Sequence, residues 1–291
     1  MTIGDKNFDL GHTYIMGILN VTPDSFSDGG KFNSVDKALK HIEEMIADGA
    51  DIIDIGGEST RPGYERISDE EEIDRIAPVV EAASKRFDIP LSIDTYKPDV
   101  AKEAVRLGAH LINDIWGLRG EDLKTPDSGM AKIIAETGVA CCIMQNNVLE
   151  DAGSDKLIDL SLDGIQNVGK ASGVVITGLN ESLKIAKKAG IDREKILLDP
   201  GIGFGKTYEG NVEVLKELNS IVKAFDYPML LGTSRKSVIG LTLDVNKSER
   251  LEGTLATTAR AVESGCLFVR VHDVKENARF IKMYETISET N

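Results

Sequence analysis

The 291-residue sequence is short of several things, and each shortage excludes something. Aromatic residues make up only 5%, so a large core must be built from Ile, Leu, Val and Ala. The three cysteines, Cys141, Cys142 and Cys266, are too few for a disulfide scaffold, and with the four histidines they show no zinc-ligand spacing. They read as buried small hydrophobes in a reducing compartment, Cys141 and Cys142 facing opposite ways on one strand. No apolar run reaches membrane-spanning length, and "MTIGDKNFDLGHT" lacks the apolar segment of a signal peptide. A cytoplasmic protein with no membrane partner is expected. Positive charge is also scarce: 34 Lys and Arg against 48 Asp and Glu leave a net charge of −14. Such a chain is ill suited to nucleic acid or to an anionic membrane surface, and any phosphate must be met by a local cationic pocket. A dinucleotide-type glycine fingerprint is missing after the first apolar run, and "DPGIGFGK" has the wrong spacing for a P-loop.

What is present is a repeated unit. A short β-branched run, a polar loop and a segment of helical period follow one another along nearly the whole chain. The runs are "YIMGILNV", "DIIDIGG", "PLSIDTY", "HLINDIWG", "VACCIMQ", "ILLDPGIG", "PMLLGTS" and "LFVRVHD". In "SVDKALKHIEEMIADGA" the residues Ala38, Ile42, Met45 and Ile46 share one face, with Ser34 as the expected N-cap and Gly49 closing the helix. Ser68 opens the next helix, with Glu71 placed for a capping box. Eight strand–helix units without a break in composition predict an α/β fold, a (β/α)8 TIM barrel forming a single domain over 1–291, rather than a doubly wound sheet. The stretch from Glu150 to Ser172 is irregular and carries no assignment. The next helix is expected near Leu183 to Ala189.

In such a barrel the strand C-termini make one rim, and the loops that follow them build the site. The first run ends at Asn20 and enters "VTPDSFSDGG", too long and polar for a simple turn. Later runs end in "GGESTRPG", Asp94 and Thr95, Asn113 and Asp114, Met144 and Gln145, Asp199 with "PGIGFGK", "GTSRKS", and Arg270, His272 and Asp273. Each residue alone is an ordinary turn former or cap. Together they sort into two groups. Arg61, Lys236 and Arg270 are cations, with His272 a donor and a candidate fourth charge, and they suit an oxyanion such as diphosphate. Asp94, Asn113 and Asp199 suit a flat heterocycle whose edge presents N–H groups, and Met144 and Phe204 offer its ring an apolar face.

"ILNVTPDSFSDGG", "GGESTRPG", "SIDTYKPDVA", "LINDI", "LLDPGIGFGK", "TSRKS" and "RVHDV" together resemble the dihydropteroate synthases, in order and near the expected spacing, from about Tyr14 to Asn277. The resemblance implies a pterin-binding barrel and a transferase of folate biosynthesis that joins p-aminobenzoate to 6-hydroxymethyl-7,8-dihydropterin diphosphate. It makes Asp94, Asn113, Asp199, Met144 and Lys236 the pterin residues. Asn20, Arg61, Arg270 and His272 hold the diphosphate, Asn20 through a bound Mg2+. Phe26, Thr60, Pro62, Phe204 and Ser237 frame p-aminobenzoate, its carboxylate near Ser237. Lys236, Arg270, His272, Asp24 and Arg61 form the catalytic set, with Asp24 and Phe26 brought in when the first loop closes. A homodimer is implied as well. Two departures stand out: Gln145 follows Met144 where the family often has His, and Trp116 replaces a small residue, with packing under the fourth loop the expected use. A related corrinoid methyltransferase would share the Asp/Asn edge but has no need for the diphosphate-gripping cations.

Overall fold

The fold was analysed in a computed structural model, which describes residues 1–22, 31–58, 66–120, 128–146, 148–150, 157–159 and 171–288. The chain opens with a small antiparallel hairpin, β1 (Thr2–Ile3) and β2 (Lys6–Asn7). Then come β3 (Tyr14–Asn20), α1 (Lys31–Ala47), β4 (Ile52–Gly56), α2 (Asp69–Arg86), β5 (Leu91–Asp94), α3 (Pro98–Arg106), β6 (Leu111–Asp114), α4 (Met130–Thr137) and β7 (Ala140–Met144). A second hairpin, β8 (Val148–Glu150) and β9 (Leu157–Asp159), precedes α5 (Ala171–Ala189). The chain continues through β10 (Ile196–Asp199), α6 (Tyr208–Lys216), α7 (Leu218–Lys223), β11 (Leu230–Leu231), α8 (Ser237–Leu243), α9 (Leu251–Ser264), β12 (Phe268–Val271) and α10 (Val274–Ser288).

The eight runs singled out in the sequence form one parallel sheet in the order β10-β7-β6-β5-β4-β3-β12-β11. A bridge between Leu198 and Met229 brings its ends together, with the Leu198 N–H donating to the Pro228 carbonyl at 3.0 Å. Helical crossovers make the strands parallel and cover the outside of the ring. Both strand faces are therefore buried, which explains the continuous apolar runs. Ile15, Leu19, Ile53, Ile55, Ile112, Cys141, Ile143, Leu198 and Val269 pack outward among the helices. Met16, Ile52, Leu111, Cys142, Leu197, Leu230 and Phe268 pack inward with Ile3 and Phe8. The N-terminal segment thus plugs the barrel floor, Phe8 meeting Phe268 edge-on at 5.0 Å between ring centroids. Gly4 turns this segment with φ 61°, and an added Cβ would lie 2.6 Å from the His110 ring. All three cysteines are buried and unpaired, Cys141 and Cys142 on opposite faces as alternation requires.

Helix ends follow local chemistry, with corrections at two N-termini. Ser68 caps α2, its hydroxyl accepting from the Glu71 N–H at 3.2 Å, but the Glu71 carboxylate turns to Arg75 instead of completing the capping box. The helix expected to start at Ser34 begins at Lys31, so Ser34 lies inside it. Gly49, φ 104°, closes that helix as expected. α5 begins at Ala171, well before Leu183. Among the described residues no helix is long and apolar enough to cross a membrane.

Candidate active site

Along several strands the inward side chains change character toward the C-terminal end. Phe268 is followed inward by Arg270, Leu111 by Asn113, Leu197 by Asp199, and Ile52 by Asp54. Hydrogen bonds across the barrel join them. Asp94 lies beside Asn113 in register, and Asp199 beside Met144. Arg270 reaches across the interior, its Nε donating to Asp54 Oδ2 and its Nη2 to Asp94 Oδ2, both at 2.5 Å. Asp54 also accepts from the Ser92 hydroxyl at 2.5 Å and the Asn113 amide at 3.3 Å. Asp54 is completely buried and was hidden in the sequence as one letter inside an apolar run. Asp94 Oδ1, by contrast, is buried without a hydrogen-bond donor among the described residues. An orphaned carboxylate oxygen is costly, and a donor from a bound molecule would satisfy it.

The charges are tuned by burial and by one another. Desolvation pushes Asp94 up to about 7, Arg270 pulls it down, and Asp54 adds to the rise. Asp199 is also raised by burial, against the pull of Lys236 and the Gly201 N–H. Burial draws Arg270 downward, but Asp54 and Asp94 outweigh it and hold the guanidinium charged. Lys236 is lowered to about 8 by desolvation, with Asp199 opposing. Its ammonium donates to the Ile202 carbonyl at 2.5 Å and sits 4.7 Å from the centre of the Phe204 ring. His272 corrects one expectation. Desolvation, then Arg270 and Arg235, pull it down to about 3, so it is neutral rather than a fourth charge. Ser234 Oγ accepts from the His272 backbone N–H at 3.2 Å and lies 3.0 Å from Nδ1, which orients the ring.

An apolar wall completes the mouth. Tyr96, Ile115, Trp116 and Met144 pack together with Phe204 against them. Trp116 is buried there. Gln145 points the other way: a Cβ on Gly178 of α5 would lie 3.0 Å from its side chain, so it lies outside the barrel mouth. Asp114 also faces away from the interior. It accepts from the Trp116 and Leu118 N–H groups at 2.8 and 2.7 Å and shapes the fourth loop.

Loop-shaping residues were the ones the sequence reading missed. Arg235 adopts φ 57°, a strained choice for a side-chain-bearing residue, and this turn leads straight into Lys236. The turn is held by bonds from Arg235 to Asp273 and from Arg250 to the Arg235 carbonyl. Lys97 bridges the buried carboxylates of Glu58 and Glu72 at 2.7 and 2.8 Å and donates to the Ile67 carbonyl, where the second loop leaves and rejoins the barrel. Ser237 opens α8 and is exposed, while Asn20 ends β3 half-buried. Asp24, Phe26, Thr60, Arg61 and Pro62 lie outside the described residues.

A closed barrel with a carboxylate–amide edge, a crossing arginine and an apolar wall defines the class. The sequence model of the pterin binding enzyme family matches residues 16–272. A dihydropteroate synthase from Clostridium beijerinckii is 52% identical over 99% of both chains. The crystal structure of a dihydropteroate synthase from Clostridium difficile in the presence of pteroic acid superposes with a TM-score of 0.83 at 46% identity, covering 98% of this chain and 100% of that one. That of the Xanthomonas albilineans enzyme with 4-aminobenzoic acid gives 0.82 at 36% identity, covering 96% and 94%. The chain belongs to the pterin-binding enzymes and, within them, to the dihydropteroate synthase family.

Proposed function

We infer that the chain condenses 6-hydroxymethyl-7,8-dihydropterin diphosphate with p-aminobenzoate, giving 7,8-dihydropteroate and pyrophosphate in folate biosynthesis. The observation that carries this reading is the Arg270 bridge to Asp54 and Asp94 at the barrel mouth, with Asp94 Oδ1 left for a ring N–H. Asp94, Asn113 and Asp199 take the pterin edge, and Met144 lies against its face. In the reaction the bond from the pterin methylene carbon to the diphosphate oxygen breaks, and its electron pair leaves with the diphosphate. The cation left behind is delocalised into the dihydropterin ring. The carboxylates of Asp94 and Asp199 stabilise that positive ring, whereas a pocket lined by cations alone would oppose it. The amine nitrogen of p-aminobenzoate then forms the C–N bond and loses its proton. Because the amine is a weak base and the electrophile a strong one, positioning and electrostatics carry the step, and no covalent enzyme intermediate forms.

The diphosphate is held by Arg61, Arg270 and His272. Lys236 touches the pterin and lines the p-aminobenzoate site, which Phe26, Thr60, Pro62, Phe204 and Ser237 frame. Asp24 and Phe26 belong to the first loop and approach the ligands when it closes. Mg2+ fits this donor set. Asn20 supplies an amide oxygen at the end of β3 and makes no side-chain hydrogen bond among the described residues, and Mg2+ commonly takes one or two protein ligands, with substrate phosphate and water as the rest. When bound it would neutralise charge on the departing diphosphate. The enzyme works in the cytoplasm as a homodimer. Support for the dimer is an apolar groove between α6, α8 and α9, lined by Tyr208, Val212, Val238, Ile239 and Leu243, with Leu241 exposed beside it. A pyrophosphate-release assay tests the function. Release must depend on p-aminobenzoate, and release without it, or none with it, refutes the reading.

A further inference from the structure

The turn after β10, residues 200–207, is held by two lysines in different ways. Gly201, Gly203 and Gly205 take φ values of 69°, 85° and 59°, so every second residue is left-handed and the turn folds tightly. No side chain fits at Gly201, where a Cβ would come within 1.8 Å of the Gln145 carbonyl oxygen. The carbonyls of this turn are met by ammonium groups. Lys206 Nζ donates to Gly201 O at 2.7 Å and to Phe204 O at 3.2 Å. Lys236 Nζ, arriving from the start of α8, donates to Ile202 O at 2.5 Å. Asn211 of α6 secures the outer side. Its Oδ1 accepts from the Gly203 N–H at 2.7 Å, and its amide donates to the Lys206 and Thr207 carbonyls at 3.1 and 2.9 Å.

The two lysines face different demands. Lys236 is placed to serve the substrates, and if it turned fully to them Ile202 would lose its donor and Phe204 the cation over its ring. Lys206 binds only the turn that contains it. Its partners are carbonyls, to which a charged ammonium and a neutral amine can both donate. Burial draws Lys206 down to about 7, with Asp199 opposing and Lys236 adding to the fall.

We propose that Lys206, with Asn211, is the positioning residue that fixes the Phe204 turn in its binding shape while Lys236 leaves Ile202 for the substrates, and that it thereby sets the affinity for p-aminobenzoate without touching it. The proposal rests on Phe204 framing that substrate. Steady-state pyrophosphate release by the full chain tests it in Lys206→Met, Lys206→Arg, Asn211→Ala and Phe204→Ala. Lys206→Met is expected to raise KM for p-aminobenzoate about tenfold, the scale of losing a hydrogen bond from a charged donor. KM for the pterin diphosphate and kcat should stay within about twofold, and Lys206→Arg should recover part of the loss. An unchanged KM for p-aminobenzoate in folded Lys206→Met, or a parallel loss in kcat and both KM values, overturns the proposal. If Lys206→Met does not fold, Asn211→Ala is judged by the same criteria. Phe204→Ala separates the two layers. If it leaves KM for p-aminobenzoate unchanged, the placement of Phe204 is wrong; if it raises KM while Lys206→Met does not, only the role of Lys206 falls.

Discussion

Phe268 and Arg270 lie two residues apart on the same strand, roughly 6.6 Å along it, and both point into the barrel. Below, Phe268 is surrounded by Met16, Leu111, Leu230 and the plugging Phe8. Above, Arg270 is held between Asp54 and Asp94. The lower interior removes apolar area from water and stabilises the fold. The upper interior takes charges out of water: attraction to the carboxylates outweighs the desolvation of Arg270, whereas for Asp94, Asp199 and Lys236 opposite charges offset only part of it. One ladder of hydrogen bonds carries both, so the division between stability and chemistry is drawn by side-chain choice at alternate positions and by height in the barrel.

Two substitutions on this one strand would break the comparison if they behaved alike. Arg270→Ala is expected to lower turnover by roughly two to four orders of magnitude, the scale of losing a key electrostatic group. Its folding stability should change far less than its rate, because Asp54 keeps the Ser92 and Asn113 bonds and the mouth can take up water. Near-normal turnover in a folded variant would remove Arg270 from the reaction. Phe268→Ala should do the reverse. Deleting a fully buried aromatic ring costs about 3–5 kcal/mol, read as a lower denaturation midpoint at unchanged slope. The molecules that remain folded should retain kcat and both KM values. A large catalytic loss at full folding would mean that the floor and the mouth are not separate.

How much of this division was legible in the sequence depends on which signal each residue left. The eight strands were legible because strands buried on both faces leave unbroken apolar runs, and the inward pair Arg270 and His272 because alternation carries them along with Phe268. Asp54 was not legible, since a single charge in "DIIDIGG" looks like a strand residue until a guanidinium is found beside it. The charge of His272 could not be read either, because it depends on burial in the folded rim and on Arg235, which is loop-borne and distant in the chain. Lys206 and Arg235 leave only loop letters and Asn211 one polar letter in α6, and their partners are backbone carbonyls, N–H groups and one carboxylate that only the folded turn brings near. The start of α1 at Lys31 has no capping residue to announce it in "GGKFN".

The smallest expected effect sharpens the claim that the upper interior works against stability. Lys206 is drawn down to about 7 and Lys236 to about 8, whereas both return to the ordinary 10.5 in the unfolded chain. Between those limits the unfolded chain binds more protons than the folded one, so their contribution makes stability rise as pH climbs from about 7 toward 10. Each lysine can add at most about 1.4 kcal/mol per pH unit to that slope. Other groups titrate over the same range, so the informative quantity is a difference. Lys206→Met removes one of the two lysines, and its loss flattens the rise. The denaturation midpoint should therefore increase more steeply from pH 7 to 9 in the parent chain than in Lys206→Met. Equal slopes would mean that Lys206 keeps its ordinary proton affinity, and that the ammonium over the Gly201 and Phe204 carbonyls is solvated and not held at the expense of the fold.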